Sequence, residues 1–362
     1  MSVTSRRLVR AAVVTLVIVA SLRSGGSSAL AVGPCGTASA APRVYQHVIW
    51  IWMENHTYGE VIDAVGAPAP YTTGLAHQCG TATNYAIVGS PSLPNYIGAT
   101  AGSTFGIADD NRPSSHVLTA DNLFRQVRAA GLTEKSYQES MPANCRLTDS
   151  YPYAVKHNPA AYFTGGSDRT ACMADDVPMG TTASGIFLDD LNNSTLPNFA
   201  FITPNLCSDT HDCAVSVGDA WLADWMPHIL NSASYLSGNT AVIIMYDEYT
   251  PMPNVFITPA TAPGTVSAVA FNHYSLLRAT EEMLGITTYL GGAATAPGMR
   301  SVFEPQLSPS VGGITEPPEA TDLPSAAATP ESRTIWYLAG ASVLAAVAVA
   351  GAAAWYARRA RS

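Results

Sequence analysis

Two short polar segments that together hold three acids and an amide, each directly after an apolar run, are the residues best placed for chemistry. Val44 to Met53 is dense in Val, Ile and Trp and leads into Glu54-Asn55-His56. Ala241 to Tyr246 is a second such run and leads into Asp247-Glu248. Continuous apolar runs of this length suit buried strands, and open α/β sheets place their sites just beyond the carboxyl ends of strands. Brought together, these acids and the Asn55 amide make an oxygen-rich site for a divalent cation. Without a cation, carboxylates in one cleft repel and raise one another's pKa. The alternative is that each segment ends a strand and faces solvent.

Three further segments carry candidates. In Gly89-Ser90-Pro91-Ser92-Leu93-Pro94, Pro94 suits the first turn of a helix, which puts Ser92 at or near the N-cap. Free backbone N–H groups and the helix dipole there favour a phosphate, and Ser92 is a nucleophile or a plain cap. Cys207-Ser208-Asp209-Thr210-His211-Asp212-Cys213 presents two acids and a histidine on a short loop if its cysteines pair. His157, in Lys156-His157-Asn158-Pro159, and His273, just ahead of a helical pattern, are catalytic or structural.

The elements that must position these groups alternate in type. Leu123 to Ala130 has helical spacing, with Thr119 or Asp121 to cap it and Gly131 to end it. Leu196 to Thr203 reads as a strand and Asp219 to Leu230 as a helix. Val255 to Thr258 is a short strand, and Ser275 to Leu284 a helix closed by Gly285. Strands alternating with helices predict an α/β fold, a mainly parallel sheet sandwiched by helices, in one domain with its core at about residues 43–290.

The ends of the chain read differently from its middle. Residues 1–31 have a basic start, an apolar run from Ala11 to Ala20 and a small-residue end at Ala29-Leu30-Ala31, a secretory signal pattern. An exported domain over 32–303 follows, then a Pro/Ser/Ala-rich linker over 304–334. Ile335 to Tyr356 carries no charge and is flanked by Trp336-Tyr337 and Trp355-Tyr356. The segment 335–357 therefore predicts one C-terminal transmembrane helix, and Arg358, Arg359 and Arg361 put the tail 358–362 in the cytoplasm. The expected location is the cell membrane, with the large domain outside the cytoplasm. Six cysteines, Cys35, Cys79, Cys145, Cys172, Cys207 and Cys213, fit three disulfides in an exported chain, and nearest-neighbour pairing is the simplest scheme. The chain holds 18 Lys+Arg against 27 Asp+Glu, and seven of those arginines belong to the two ends. The middle section therefore stands at −16 with no basic cluster, so nucleic acid is not an expected partner.

The ordered set of motifs resembles a known family. His47-Val48-Ile49-Trp50-Ile51-Trp52-Met53-Glu54-Asn55-His56-Thr57-Tyr58 is similar to the N-terminal signature of the phosphoesterase family of bacterial acid phosphatases and phospholipases C, within the alkaline-phosphatase superfamily. Pro91-Ser92-Leu93-Pro94-Asn95-Tyr96 resembles its nucleophile segment. Asp109-Asp110-Asn111, Lys156-His157-Asn158-Pro159, Thr203-Pro204-Asn205, Asp209-Thr210-His211-Asp212, Asp247-Glu248 and Phe271-Asn272-His273-Tyr274-Ser275 follow in the order of its shorter acid-phosphatase branch. The resemblance implies an alkaline-phosphatase-like fold. It implies metal positions at Glu54, Asn55, Ser92, Asp247 and Glu248, with Ser92 also the nucleophile. It implies phosphate-contacting or proton-handling roles for Asn111, His157 and His211, and lesser substrate contacts for Asp209 and His273. Tyr249-Thr250-Pro251-Met252-Pro253 departs from the glycine-rich run usual after Glu248.

The implied activity is an exported, membrane-anchored, metal-dependent acid phosphatase that hydrolyses phosphomonoesters through a phosphoserine. The charge that develops on phosphoryl oxygens needs positive partners; basic residues are scarce here, so a bound divalent cation supplies them. A phospholipase C or lipid-phosphate phosphatase is the second reading, and a non-catalytic cell-surface binding domain the third.

Overall fold

The computed structural model describes residues 33–304. The signal, linker, membrane helix and tail expected at the two ends lie outside the described residues. Among the described residues, no helix is long and apolar enough to cross a membrane.

Ten strands form among the described residues: β1 His47–Met53, β2 Gly80–Ala82, β3 Tyr85–Ala86, β4 Glu134–Gln138, β5 Asp176–Pro178, β6 Phe199–Thr203, β7 Thr240–Tyr246, β8 Asn254–Ile257, β9 Thr265–Ser267 and β10 Phe271–Asn272. Eight of them make one sheet, in the order β5-β4-β6-β1-β7-β8-β2-β9. Only β8 runs against the others, so the mainly parallel α/β expectation holds. β3 and β10 pair separately.

β1 lies at the centre, parallel to β6 on one side and β7 on the other. Its composition explains the position, since Val48, Ile49, Trp50, Ile51, Trp52 and Met53 are all buried. Side chains alternate across a strand. Trp50 and Trp52 face the Ser92–Ala101 and His273–Met283 helices. Trp52 packs 4.7 Å from the Tyr96 ring, and Trp50 Nε1 donates to Thr280 Oγ1 at 2.9 Å. Met53 faces the Val215–Leu230 helix at Gly218, where an added Cβ would stand 2.8 Å from Met53 Cε and 2.9 Å from Ser208 O. That contact requires glycine and seats the helix directly under the 207–213 loop.

Several boundaries differ from expectation. The Val215–Leu230 helix starts a turn earlier than Asp219. Asp219 instead accepts from the backbone of Tyr71 and Thr72 at 3.1 and 2.7 Å, holding the start of a neighbouring helix. The Leu123–Ala129 helix is capped by Asn122, whose side chain accepts from Arg125 N, rather than by Thr119 or Asp121. The three disulfides are Cys35–Cys79, Cys145–Cys172 and Cys207–Cys213, the nearest-neighbour scheme.

Asp176, the first residue of β5 and opposite Ser136 in the middle of β4, is fully buried. Asn158 Nδ2 donates to its Oδ2 at 2.8 Å, while its Oδ1 has no partner. Burial pushes this carboxyl up from 3.8 to about 7, against the help of Asn158. A carboxyl raised on folding binds a proton that the unfolded chain has released. Its stabilisation is therefore complete below 3.8 and is lost as pH rises through about 7. Thermal unfolding should show the protein losing stability between about pH 4 and about pH 7. The loss should be smaller in Asp176→Asn, a neutral isostere; an unchanged slope would refute the account.

Candidate active site

The site forms where β1, β6 and β7 end. The parallel register sets Met53 opposite Tyr246, so the next residues, Glu54 and Asp247, emerge side by side. Both are buried. Asn55 takes a left-handed conformation, φ 56°, which asparagine tolerates better than most residues. This turn aims its N–H at Asp247 Oδ1, 3.3 Å away. Glu54 shares the face of Trp52 and so points at the Ser92–Ala101 helix.

Ser92 is the first residue of that helix, with Pro91 at the cap. Its Oγ donates to Glu54 Oε2 at 3.2 Å and to Glu248 Oε2 at 3.4 Å. The following N–H, on Leu93, donates to Asp110 Oδ1 at 3.0 Å. A carboxylate therefore already occupies one of the helix-start donors expected to be free for phosphate. Asn95 fixes the preceding loop, accepting from Val88 N and Gly89 N at 3.0 Å each.

Four of the five expected metal positions carry oxygens that converge: Glu54, Asn55, Ser92 and Asp247. Glu248 closes the side nearer solvent. The Asn55 amide head lies 3.1 Å from Glu54 Oε2 and 3.2 Å from Asp247 Oδ1. With its oxygen there, three acceptors share one volume without a proton between them. Turning the amide relieves this by donation to both carboxylates. A hard cation relieves it with the oxygen left in place. Asp247 Oδ2 is buried without a partner.

The electrostatics point the same way. Burial, then Asp247 and Asp209, hold the Glu54 carboxyl well above the usual range. Burial and Glu248 push Asp247 up to about 7. Glu248, half-buried, is raised by burial. Such a set ionises together only beside a compensating positive charge, so the residues fit a divalent cation.

The histidines differ in placement. His157 is buried, with its ring stacked on Tyr96 at 5.2 Å and 9°. Its Nε2 lies 3.2 Å from Glu54 Oε1 and its Nδ1 3.3 Å from Asp209 Oδ2. Nε2 and Asp209 Oδ2 are nonetheless unpartnered as hydrogen bonds. Two carboxyls within ion-pair reach would favour a charged ring. Burial, then Lys156 and His211, instead drive its pKa well below the ordinary value. Glu54, His157 and His211 also bring one ligand atom each within 4.8 Å of one another. His211 is partly exposed at the mouth, with Nδ1 2.7 Å from Asp212 Oδ1.

Three expected substrate contacts are placed otherwise. His273 is fully buried; its Nε2 donates to the Asp247 carbonyl at 3.0 Å and its Nδ1 faces Tyr85 Oη at 3.4 Å. Burial lowers it to about 4, so it is a neutral support for the Asp247 backbone. Asp209 is buried behind His157, where burial raises it to about 7. It accepts from His211 N at 2.7 Å and sets that loop. Asn111 is exposed, and its carbonyl accepts from Tyr162 Oη at 3.0 Å.

Two residues missed as functional belong to the site. Tyr96 donates a short hydrogen bond to Glu54 Oε1; its place four residues after Ser92 on one helix face was the available signal. Lys156 donates to Asp110 Oδ2 at 3.0 Å. Burial works against its charge, yet Asp110 leaves its pKa above the ordinary value.

Comparison with known proteins places the chain in a family. The model of the Phosphoesterase family matches residues 66–252, and the chain belongs to that family. An acid phosphatase of Aspergillus fumigatus is 29% identical over 287 residues, 74% of this chain and 61% of that one. A phosphatidylinositol-3-phosphatase of Mycobacterium tuberculosis is 29% identical over 306 residues, 82% of this chain and 95% of that one. The chain thus spans about three fifths of the length of the fungal relative and nearly all of the mycobacterial one. Among solved structures, a Vibrio parahaemolyticus protein of the alkaline phosphatase superfamily overlaps at 12% identity with a TM-score of 0.45, over 74% of each chain.

The Cys207–Cys213 bridge closes a loop of sequence separation 6, and Cys35–Cys79 one of 44. Loop-closure entropy assigns about 2 kcal/mol to the short bridge and about 4 kcal/mol to the long one. Opening the short bridge by a double Cys→Ala change should therefore cost less stability in a denaturant titration. It should cost more activity, because Asp209 and His211 lie inside that loop. Activity tracking stability across both variants would contradict this.

Proposed function

We propose that this protein is a metal-dependent phosphoesterase, most often turning over phosphomonoesters as the related acid phosphatases do by name. The observation that carries the reading is Ser92, its hydroxyl bonded to Glu54 and Glu248 among oxygens that need a cation. A divalent cation held by Glu54, Asn55, Ser92, Asp247 and Glu248 would stabilise the Ser92 alkoxide and polarise the phosphoryl oxygens.

The chain's own residues supply the rest. Ser92 Oγ attacks phosphorus and forms an O–P bond as the bond to the leaving oxygen breaks. Its proton already points at carboxylate oxygens, of which Glu248 is the more exposed acceptor. His211 at the mouth takes a proton from the water that releases phosphate, and the leaving oxygen is protonated from the solvent side. Tyr96 and His157 hold Glu54 in its orientation.

A second reading, a lipid-phosphate phosphatase, is favoured by the near full-length match to a relative named for phosphatidylinositol-3-phosphate. The uncharged Ile335 to Tyr356 segment supports it as an anchor, which would place the domain at a membrane surface outside the cytoplasm. Deleting residues 335–362 should release the protein from membranes on fractionation.

Ser92→Ala should lower kcat on a chromogenic phosphomonoester by at least ~10³-fold, and chelator should abolish turnover that added divalent metal restores. Wild-type rates in either experiment would refute the mechanism. Comparing a soluble phosphomonoester with phosphatidylinositol-3-phosphate vesicles separates the two readings.

A further inference from the structure

The chain has only two lysines, Lys135 and Lys156. Lys135 pairs with Asp190 at 2.7 Å. Arg125, Arg128, Arg278 and Arg300 are taken up by ion pairs outside the site. Among the described residues, Lys156 alone presents a cation that bonds to residues of the site.

Its setting is specific. Nζ donates to Asp110 Oδ2 at 3.0 Å, while Asp110 Oδ1 accepts from Leu93 N, the residue after Ser92, at 3.0 Å. One carboxylate therefore ties the ammonium to the start of the Ser92 helix. On its other side Nζ lies 3.3 Å from His211 Nε2. An ammonium only donates, so His211 Nε2 accepts, and its Nδ1–H donates to Asp212 Oδ1 at 2.7 Å. Two of the three ammonium protons are thereby used. The third has no partner among the described residues, and the side chain keeps 20% of its surface open.

We propose that Lys156 binds a non-bridging oxygen of the substrate's phosphoryl group and makes the site prefer monoesters to diesters. This rests on the phosphoesterase reading and adds to it the residue that selects the substrate class. A monoester carries close to two negative charges at pH 7, its second pKa being about 6; a diester carries one. A fixed cation beside the transferred group rewards the second charge, and rewards it further where charge builds in the transition state. Asp110 would position the ammonium, and His211 Nε2, accepting from it, would fix its direction.

The test compares kcat/KM for p-nitrophenyl phosphate and bis-p-nitrophenyl phosphate at pH 7 in the metal-loaded full chain. Lys156→Gln, which keeps a donor and removes the charge, should lower the monoester value ~100-fold and the diester value less than ~10-fold. Lys156→Arg should keep most of the monoester preference. In the wild type the preference should narrow below pH ~6, where the monoester sheds its second charge. Equal losses on both esters, or no loss, would overturn the proposal. If the wild type hydrolyses neither ester, the phosphoesterase reading fails instead. Calorimetric titration with inorganic phosphate then decides the role of Lys156. Binding at least ~10-fold weaker in Lys156→Gln supports it, and unchanged binding overturns it.

Discussion

The structure depends on one electrostatic conflict. The seven paired positions between β1 and β7 bring Glu54 and Asp247 out of the sheet as neighbours in a space closed to water. Two buried carboxyls side by side cannot both ionise without a positive partner. A displacement of either strand by one residue would separate them, and with it turn the whole apolar set of β1 to the wrong face. The core packing that makes β1 and β7 buried strands is therefore the same force that keeps the conflict in place.

Around that pair, aromatic residues do the holding. Trp52 lies under both Tyr96 and His273, at 4.7 and 5.0 Å. Tyr96 reaches Glu54 with its hydroxyl and covers His157 with its ring, and His273 holds the backbone of Asp247. Each acid is thus gripped by a residue that itself rests on a single buried indole. Rigid support of this kind keeps oxygens at coordination distance when their own repulsion would spread them.

The parts of this arrangement legible in sequence were those written as local pattern. The apolar runs ahead of Glu54 and Asp247 marked the central strands, and the strand-end rule marked the acids. Outlying strands were harder to see. β4, Glu-Lys-Ser-Tyr-Gln, opens on two charged residues because Glu134 is met by Arg128 and Lys135 by Asp190, partners that only the folded chain supplies. For the same reason His273 and Asp209 read as substrate contacts. Both have the right chemistry near the right motif, but depth from the surface is set by tertiary packing. Lys156 stood inside a recognised motif, yet its importance lay in what the other cations were doing elsewhere. Its neighbour Asp110 is one of two adjacent aspartates, and only Asp110 turns toward the helix start.

The 207–213 bridge ties the arrival of reactivity to the redox state around the chain. The acidic pair and Ser92 sit on strand ends and a helix start that lie outside this bridge. The loop bearing Asp209 and His211 is closed by a covalent bond that thiol-rich surroundings keep open. A chain in which this bridge alone is open would hold the acidic pair and Ser92 in place beside a loose loop where Asp209 and His211 belong.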